Sequence, residues 1–279
     1  MAFIILCGEN MNILILGGDN RQIYLTEIFK KNGFNAEHVT SSENLNDKIN
    51  RSPVIVLPIP STKDKITVYN SINDNKIYLS DLKEFMDNQI VLTCNLVLEN
   101  TNCIDYGNLD EFAIKNAVPT AEGAIAIAVY NSEKTIFGSK CLVIGYGRIG
   151  KILSQMLKNL GANVMVSARK NADLSFITAF NMKAVKTSEI NDFAEDYDLI
   201  FNTVNSPVID DDFLNKVNQN ALLIELASLP GGINANKEKA KCKIINAQGL
   251  PGKYSPFSAA KILFETIINV LKSHEGDIL

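Results

Sequence analysis

The apolar positions fall into short blocks separated by polar, turn-forming stretches. Asn12–Leu16, Pro53–Leu57 and Gln89–Thr93 each have the length and composition of a buried strand. The first block runs into Gly17-Gly18-Asp19-Asn20-Arg21, after which the pattern predicts a helix from Gln22 to Lys31, stopped by Asn32-Gly33. Strand, glycine turn and helix at this spacing predict a parallel sheet with helices on its faces. Pro119-Thr120-Ala121-Glu122 then opens an Ala/Ile-rich stretch, Gly123 to Tyr130, read as a linking helix with Thr120 as its cap. Phe137-Gly138-Ser139 is the turn into the second half of the chain.

From Lys140 the alternation sharpens. Cys141–Ile144 reads as a strand, Arg148–Leu160 as a helix, Gly161-Ala162 as a turn and Asn163–Ser167 as a second strand. Three more apolar runs come next, at Asp198–Val204, Ala221–Ala227 and Lys243–Asn246, and then a final helix from about Pro256 to Lys272. The expected fold is α/β, two Rossmann-like domains with parallel sheets, joined by linking helices and facing a cleft. Residues 1–118 form the first domain and 119–255 the second. The 256–279 helix is expected to pack back on the first.

Gly145-Tyr146-Gly147-Arg148-Ile149-Gly150 is the strongest chemical signal. A Gly-x-Gly-x-x-Gly string is weak alone, but this one follows a strand, opens a helix and precedes a second strand, as a dinucleotide-binding βαβ unit requires. Gly145 permits the tight turn, Gly147 lets a pyrophosphate approach the backbone, and Gly150 lets helix and strand pack closely. The residues at the far end of the second strand decide the nucleotide. An NAD site places Asp or Glu there, whereas this chain has Ser167-Ala168-Arg169-Lys170. A hydroxyl, a guanidinium and an ammonium suit a 2′-phosphate, so NADP(H) is the expected cofactor. Asn202, Thr203 and Val204, at the end of the strand after Leu199-Ile200, and Ala227, one strand later, are further candidates for the nicotinamide end.

Composition narrows the class. Hydrophobic residues make up 46% and charged residues 21% of 279, with a net charge of −4, so nucleic acid and anionic lipid are not expected partners. Five scattered cysteines without a Cys-x-x-Cys pair argue against a disulfide framework or zinc ribbon, and no metal is expected. The start lacks the basic residues of a signal peptide, and no apolar stretch is expected to approach the ~20 residues of a membrane span. Met11 is an alternative start, since the strand pattern begins at Asn12. The expected location is the cytoplasm.

A nucleotide domain in second place is similar to the D-2-hydroxyacid dehydrogenases and the adenosylhomocysteinases. The former move the hydroxyl proton with a His, and here only His38 and His274 exist, one in an early loop or strand and one near the end. The latter need a His/Asp/Lys set that cannot be assembled.

Five segments point elsewhere. They are Gly17-Gly18-Asp19-Asn20-Arg21-Gln22, Leu57-Pro58-Ile59-Pro60, the stretch from Asn116 to Gly123, the stretch from Leu226 to Gly232, and Gly249-Leu250-Pro251-Gly252-Lys253. In this order, with the fingerprint, they resemble the dipicolinate synthase A subunits of endospore-forming bacteria, from Met11 to about Leu271. The resemblance implies NADP-linked oxidation of a dihydrodipicolinate-type ring to dipicolinate in the mother cell during sporulation. It implies a partner, the flavoprotein-like B subunit of dipicolinate synthase, with FMN or FAD on that partner and not on this chain. Oxidising a dihydropyridine gains aromaticity, which fits the scarcity of histidine. Two departures stand out: Glu225 where the family suggests Asp, and the stretch after Lys253.

A dicarboxylate substrate needs cations and amides. Asp19, Arg21, Thr120 and Lys253 are the substrate-binding candidates, and Arg21, Lys253 and Glu122 the catalytic ones. Arg21 serves equally as a structural salt bridge, and Asp19 as a helix cap. A homo-oligomer is possible. Other readings are a D-2-hydroxyacid or imine dehydrogenase, and a non-catalytic NADP(H)-binding subunit.

Overall fold

A computed structural model describes residues 10–83, 89–99, 102–228 and 230–276. The apolar run Phe3–Cys7, Leu229 and the side chain of His274 lie outside the described residues. The chain divides into two compact units, Met1–Asn116 with Pro251–Leu279, and Ala117–Leu250.

In the first unit, β1 (Asn12–Leu16), β2 (Asn35–Val39), β3 (Val54–Val56), β4 (Ile90–Thr93) and β5 (Asn102–Asp105) form one parallel sheet in the order β2-β1-β3-β4-β5. Helix α1 (Asn20–Lys31) follows β1, α2 (Leu45–Asn50) follows β2 and α3 (Leu79–Lys83) precedes β4. The apolar run of β1 is continuous because both faces are covered. Ile13 and Ile15 pack with Leu25 and Phe29 of α1, while Leu14 and Leu16 pack with Leu45 and Ile49 of α2. Each such buried side chain contributes about 1.5–3 kcal/mol. Helix α1 begins two residues earlier than the pattern suggests, because Asp19 caps it in a reciprocal box with Gln22.

In the second unit, β6 (Lys140–Ile144), β7 (Asn163–Ala168), β8 (Lys183–Lys186), β9 (Leu199–Asn202), β10 (Leu222–Glu225) and β11 (Lys243–Asn246) are all parallel, in the order β11-β10-β9-β6-β7-β8. Counted within the unit this is 6-5-4-1-2-3, the doubly wound dinucleotide-binding order. Cys141 and Val143 face Leu153 and Leu157 of α5 (Arg148–Asn159), and Leu142 and Ile144 face Phe213 and Leu214 of α7 (Asp211–Lys216). Helix α6 (Asn171–Ala179) lies between β7 and β8.

Two expectations need correction. Thr120 does not cap a helix: α4 runs unbroken over Asp110–Asn131, with Pro119 inside it and Thr120 buried in its middle. Pro119 has no N–H for the Lys115 carbonyl, a cost of up to about 3 kcal/mol. Burial of Ala117, Ala121, Ala124, Ile127 and Ala128 offsets it. By length and composition α4 is apolar enough to cross a membrane, yet half of that apolar stretch is buried within the protein. The second correction concerns Lys253, expected in a loop. It sits in a short helix, α8 (Leu250–Tyr254), which Gly249 enters at φ +68° and α9 (Pro256–Gly276) follows. Helix α9 packs on α1, with Phe264 against Phe29 at 5.0 Å and Phe257 against Tyr24 at 5.7 Å between ring centroids.

Candidate functional site

In each sheet the strand order reverses once, and the loops at the carboxyl ends beside that point form the natural ligand crevice. In the second unit these are the β6–α5 turn and the loop after β9.

The three glycines of the turn do different work. Gly145 adopts φ +98°, and a Cβ there would lie 2.6 Å from Thr203 Oγ1 and Val204 Cγ2. A Cβ on Gly150 would lie 2.1 Å from the Gly145 carbonyl oxygen, so helix and turn touch backbone to backbone. Around Gly147 nothing lies within 4 Å of the same position. Gly147 is also the N-cap of α5 and supplies no side-chain acceptor, which leaves the first-turn amides of Ile149 and Gly150 for an external anion. Gly147 and Arg148 are exposed, and Tyr146 and Ile149 half-buried. The residues present thus fit a pyrophosphate. Burial, then the charge of Asp173, raises the Tyr146 pKa.

At the end of β7 the expected set changes. Ser167 is fully buried, and the Gly145 amide donates to its carbonyl at 3.1 Å and to its Oγ at 3.3 Å. Its hydroxyl also meets Thr187 Oγ1 at 3.3 Å. Ser167 therefore braces the glycine turn and is withdrawn from the 2′-phosphate set. Arg169 and Lys170 remain exposed, with Lys170 at the N-cap of α6. Sequence reasoning missed Lys186, whose ammonium donates to the Arg169 carbonyl at 3.2 Å and to Asn171 Oδ1. Only the β7–β8 register, pairing Ala168 with Lys186, brings it there.

After β9 the reading also shifts. Asn202 is fully buried, its amide donating to the Val204 carbonyl at 2.9 Å and to both Glu225 oxygens at 2.8 and 3.0 Å. That side chain holds its own loop and is not turned to a nucleotide. Thr203 Oγ1 donates to the Ile144 carbonyl at 2.9 Å, tying this loop to the glycine turn beside half-buried Val204. Glu225 also accepts from the amides of Ala227 (3.0 Å) and Gly232 (3.2 Å), so one buried carboxylate holds Ala227 and Gly232 together. Burial raises its pKa despite those donors.

The first unit's corresponding crevice lies between the loops after β1 and β3. Asp19 caps α1, and Arg21 clasps it, Nε to Oδ1 at 2.9 Å and Nη2 to Oδ2 at 2.8 Å. Arg21 Nη2 also donates to the Ile59 carbonyl at 2.7 Å, and Arg21 is 3% exposed. Gly252 closes over the pair: a Cβ there would lie 2.5 Å from Asp19 Oδ2 and 3.0 Å from Arg21 Nε. The structure thus brings Asp19, Arg21 and the helix carrying Lys253 together, with Arg21 sealed into a clamp and Lys253 exposed. Glu122 is exposed on α4. His38 is half-buried on β2, its Nε2 donating to the Gly17 carbonyl at 2.7 Å. Cys94 and Cys141 are buried thiols, pushed up to about 12 mainly by that burial, and are poor nucleophiles.

Comparison with known proteins adds independent findings. The family model of the N-terminal domain of the dipicolinate synthase A subunit matches residues 12–103. That of the D-isomer specific 2-hydroxyacid dehydrogenase NAD-binding domain matches residues 120–229. The chain is 29% identical to the dipicolinate synthase A subunit of Bacillus subtilis (strain 168) over 96% of this chain and 98% of that one. The crystal structure of the dipicolinate synthase A subunit from Bacillus halodurans superposes with a TM-score of 0.84 at 25% identity, covering 94% of this chain and 97% of its own. That of the Bacillus subtilis A subunit gives 0.81 at 27% identity, covering 96% and 98%. The second unit is a nicotinamide-nucleotide-binding domain of the oxidoreductase kind.

Proposed function

The chain belongs to the family of dipicolinate synthase A subunits, and from that premise we propose that it binds NADP(H) and serves NADP-linked formation of dipicolinate, pyridine-2,6-dicarboxylate, from a dihydrodipicolinate-type ring. The observation that carries the cofactor choice is the open seat at Gly147 joined to a carboxylate-free β7 end bearing Arg169 and Lys170.

When bound, the cofactor would supply a hydride acceptor, so that the substrate ring could give up a hydride and one proton and become aromatic. This chain's residues do the holding. Amides of the α5 first turn take the pyrophosphate, and Arg169 and Lys170 the 2′-phosphate. The loops pinned by Thr203 and Glu225 wall the nicotinamide end. Gain of aromaticity lets water take the proton, consistent with His38 being tied to Gly17. Of the substrate cations, Lys253 keeps its ammonium in solvent and is the better carboxylate ligand, while Arg21 maintains the turn. We retain a flavoprotein-like partner, the B subunit of the synthase, carrying FMN or FAD, and the mother-cell cytoplasm as the setting.

The test is an anaerobic titration with NADPH and NADH, followed by an ultraviolet assay of dipicolinate from freshly generated dihydrodipicolinate, with and without the flavoprotein partner. NADP-dependent dipicolinate supports the reading. Turnover of 2-hydroxy or 2-oxo acids by the isolated chain would transfer it to the hydroxyacid dehydrogenases. Tight NADPH binding without turnover under any condition would leave a nucleotide-binding subunit.

A further inference from the structure

Lys186 ends β8, directly beside Ala168 of β7 in the parallel ladder. Its half-buried side chain crosses the end of β7, and its ammonium donates to the Arg169 carbonyl at 3.2 Å and to Asn171 Oδ1. Both acceptors belong to the turn where a dinucleotide's adenosine ribose is read. Both are neutral. Among the described residues no carboxylate forms an ion pair with Lys186, so its charge is not neutralised within the turn. A lysine has three N–H donors, and the turn accepts two. Lys186 thus meets the turn that carries the exposed Arg169 and Lys170, so the adjoining ends of β7 and β8 bring three cations to it.

We propose that Lys186 is a specificity-determining residue for NADP(H): it braces the Arg169–Asn171 turn and lends its unneutralised charge to the 2′-phosphate. The inference rests on the NADP reading above. A brace alone serves NADH and NADPH equally, because both place the same ribose on the turn. A cation at the 2′-position serves NADPH only, since a charge-assisted contact to a dianion is lost with the phosphate.

The experiment is calorimetric titration of the full-length wild type, Lys186→Met and Lys186→Arg with NADPH and with NADH. Wild type is expected to prefer NADPH. Lys186→Met is expected to lose about tenfold in NADPH affinity and less than about twofold in NADH affinity, and Lys186→Arg to keep most of the preference. The ratio of the two affinities within one variant does not depend on the fraction folded, so a destabilised Lys186→Met protein still gives an answer. Equal weakening for both nucleotides, or no change for either, would overturn the proposal while leaving the NADP reading standing. A wild type that binds NADH as tightly as NADPH would overturn both.

Discussion

Gly147→Ala separates the two duties of the glycine turn. The added methyl meets nothing within 4 Å, and Gly147 sits at φ −80°, ψ −162°, where alanine is unstrained. Replacing glycine at a compatible position stabilises by about 0.4–1 kcal/mol through the unfolded chain. Alanine is a poorer N-cap than glycine by a similar amount. These nearly cancel, so the melting temperature should stay within about 2 °C of wild type. The methyl nevertheless occupies the approach to the α5 amides, and losing one charge-assisted contact costs about 1.5–3 kcal/mol, or roughly 10–100-fold in NADPH affinity. Gly150→Ala is the control. Its methyl would lie 2.1 Å from the Gly145 carbonyl oxygen, a backbone atom, so turn and helix must part. Overpacking of that kind costs about 1–3 kcal/mol, and both stability and binding should fall. Thermal unfolding and calorimetric titration of the two variants check this. Wild-type NADPH affinity in folded Gly147→Ala would refute the placement of the pyrophosphate.

Arg21→Ala empties a buried site and leaves the partly buried Asp19 carboxylate without its partner, so it should cost up to about 3 kcal/mol of stability, measured by urea unfolding, with NADPH affinity unchanged in the folded fraction. A raised substrate KM at wild-type stability would restore Arg21 to substrate binding. Arg169→Asp should weaken NADPH far more than NADH; equal loss of both would remove the 2′-phosphate from this turn. Glu225, whose pKa burial raises, contributes stability that is full below the ordinary carboxylate value near 4.3 and lost as pH rises through its raised value. The melting temperature of wild type minus that of Glu225→Gln should therefore shrink from about pH 4.5 toward neutrality. A difference that grows with pH would mean that the donors from Asn202, Ala227 and Gly232 outweigh burial.

What the sequence discloses and what it hides depend on distance along the chain. The Gly145–Gly150 turn is legible because its constraints act within six residues: one positive φ, one open approach, one backbone contact. The continuous apolar runs of β1, β4 and β6 are legible because both faces are covered. The edge strands β2 and β8 are not, since Asn35–Val39 and Lys183–Lys186 are half polar. Helix α4 is misjudged from sequence because local propensity makes Pro119 a start, whereas tertiary burial of its alanines carries the helix through it. Ser167 and Asn202 have side chains suited to ligands, but burial directs them to Gly145 and Glu225. Lys186 depends on register alone, which no spacing reveals.

The two units also explain each other. Gly17-Gly18-Asp19-Asn20-Arg21-Gln22 aligns position for position with Gly145-Tyr146-Gly147-Arg148-Ile149-Gly150, and Gly17 and Gly145 both take positive φ, +56° and +98°. The helix then starts one residue after Asp19 in the first unit and one after Gly147 in the second. Where Gly147 leaves a vacant approach, Asp19 supplies an internal carboxylate that takes the first-turn amides and is neutralised by Arg21. The chain itself also covers the first turn: the Gly18 amide donates to the Tyr69 carbonyl at 2.6 Å, and the Ser71 amide to the Gly18 carbonyl at 2.8 Å. A phosphate entering there would meet the Asp19 carboxylate in the place it needs, with the Arg21 amide already bonded to that carboxylate. Titration should therefore saturate at one nucleotide per chain, with Gly147→Ala depressing that single event. A second equivalent that survives Gly147→Ala would show that the Asp19 turn opens to ligand after all.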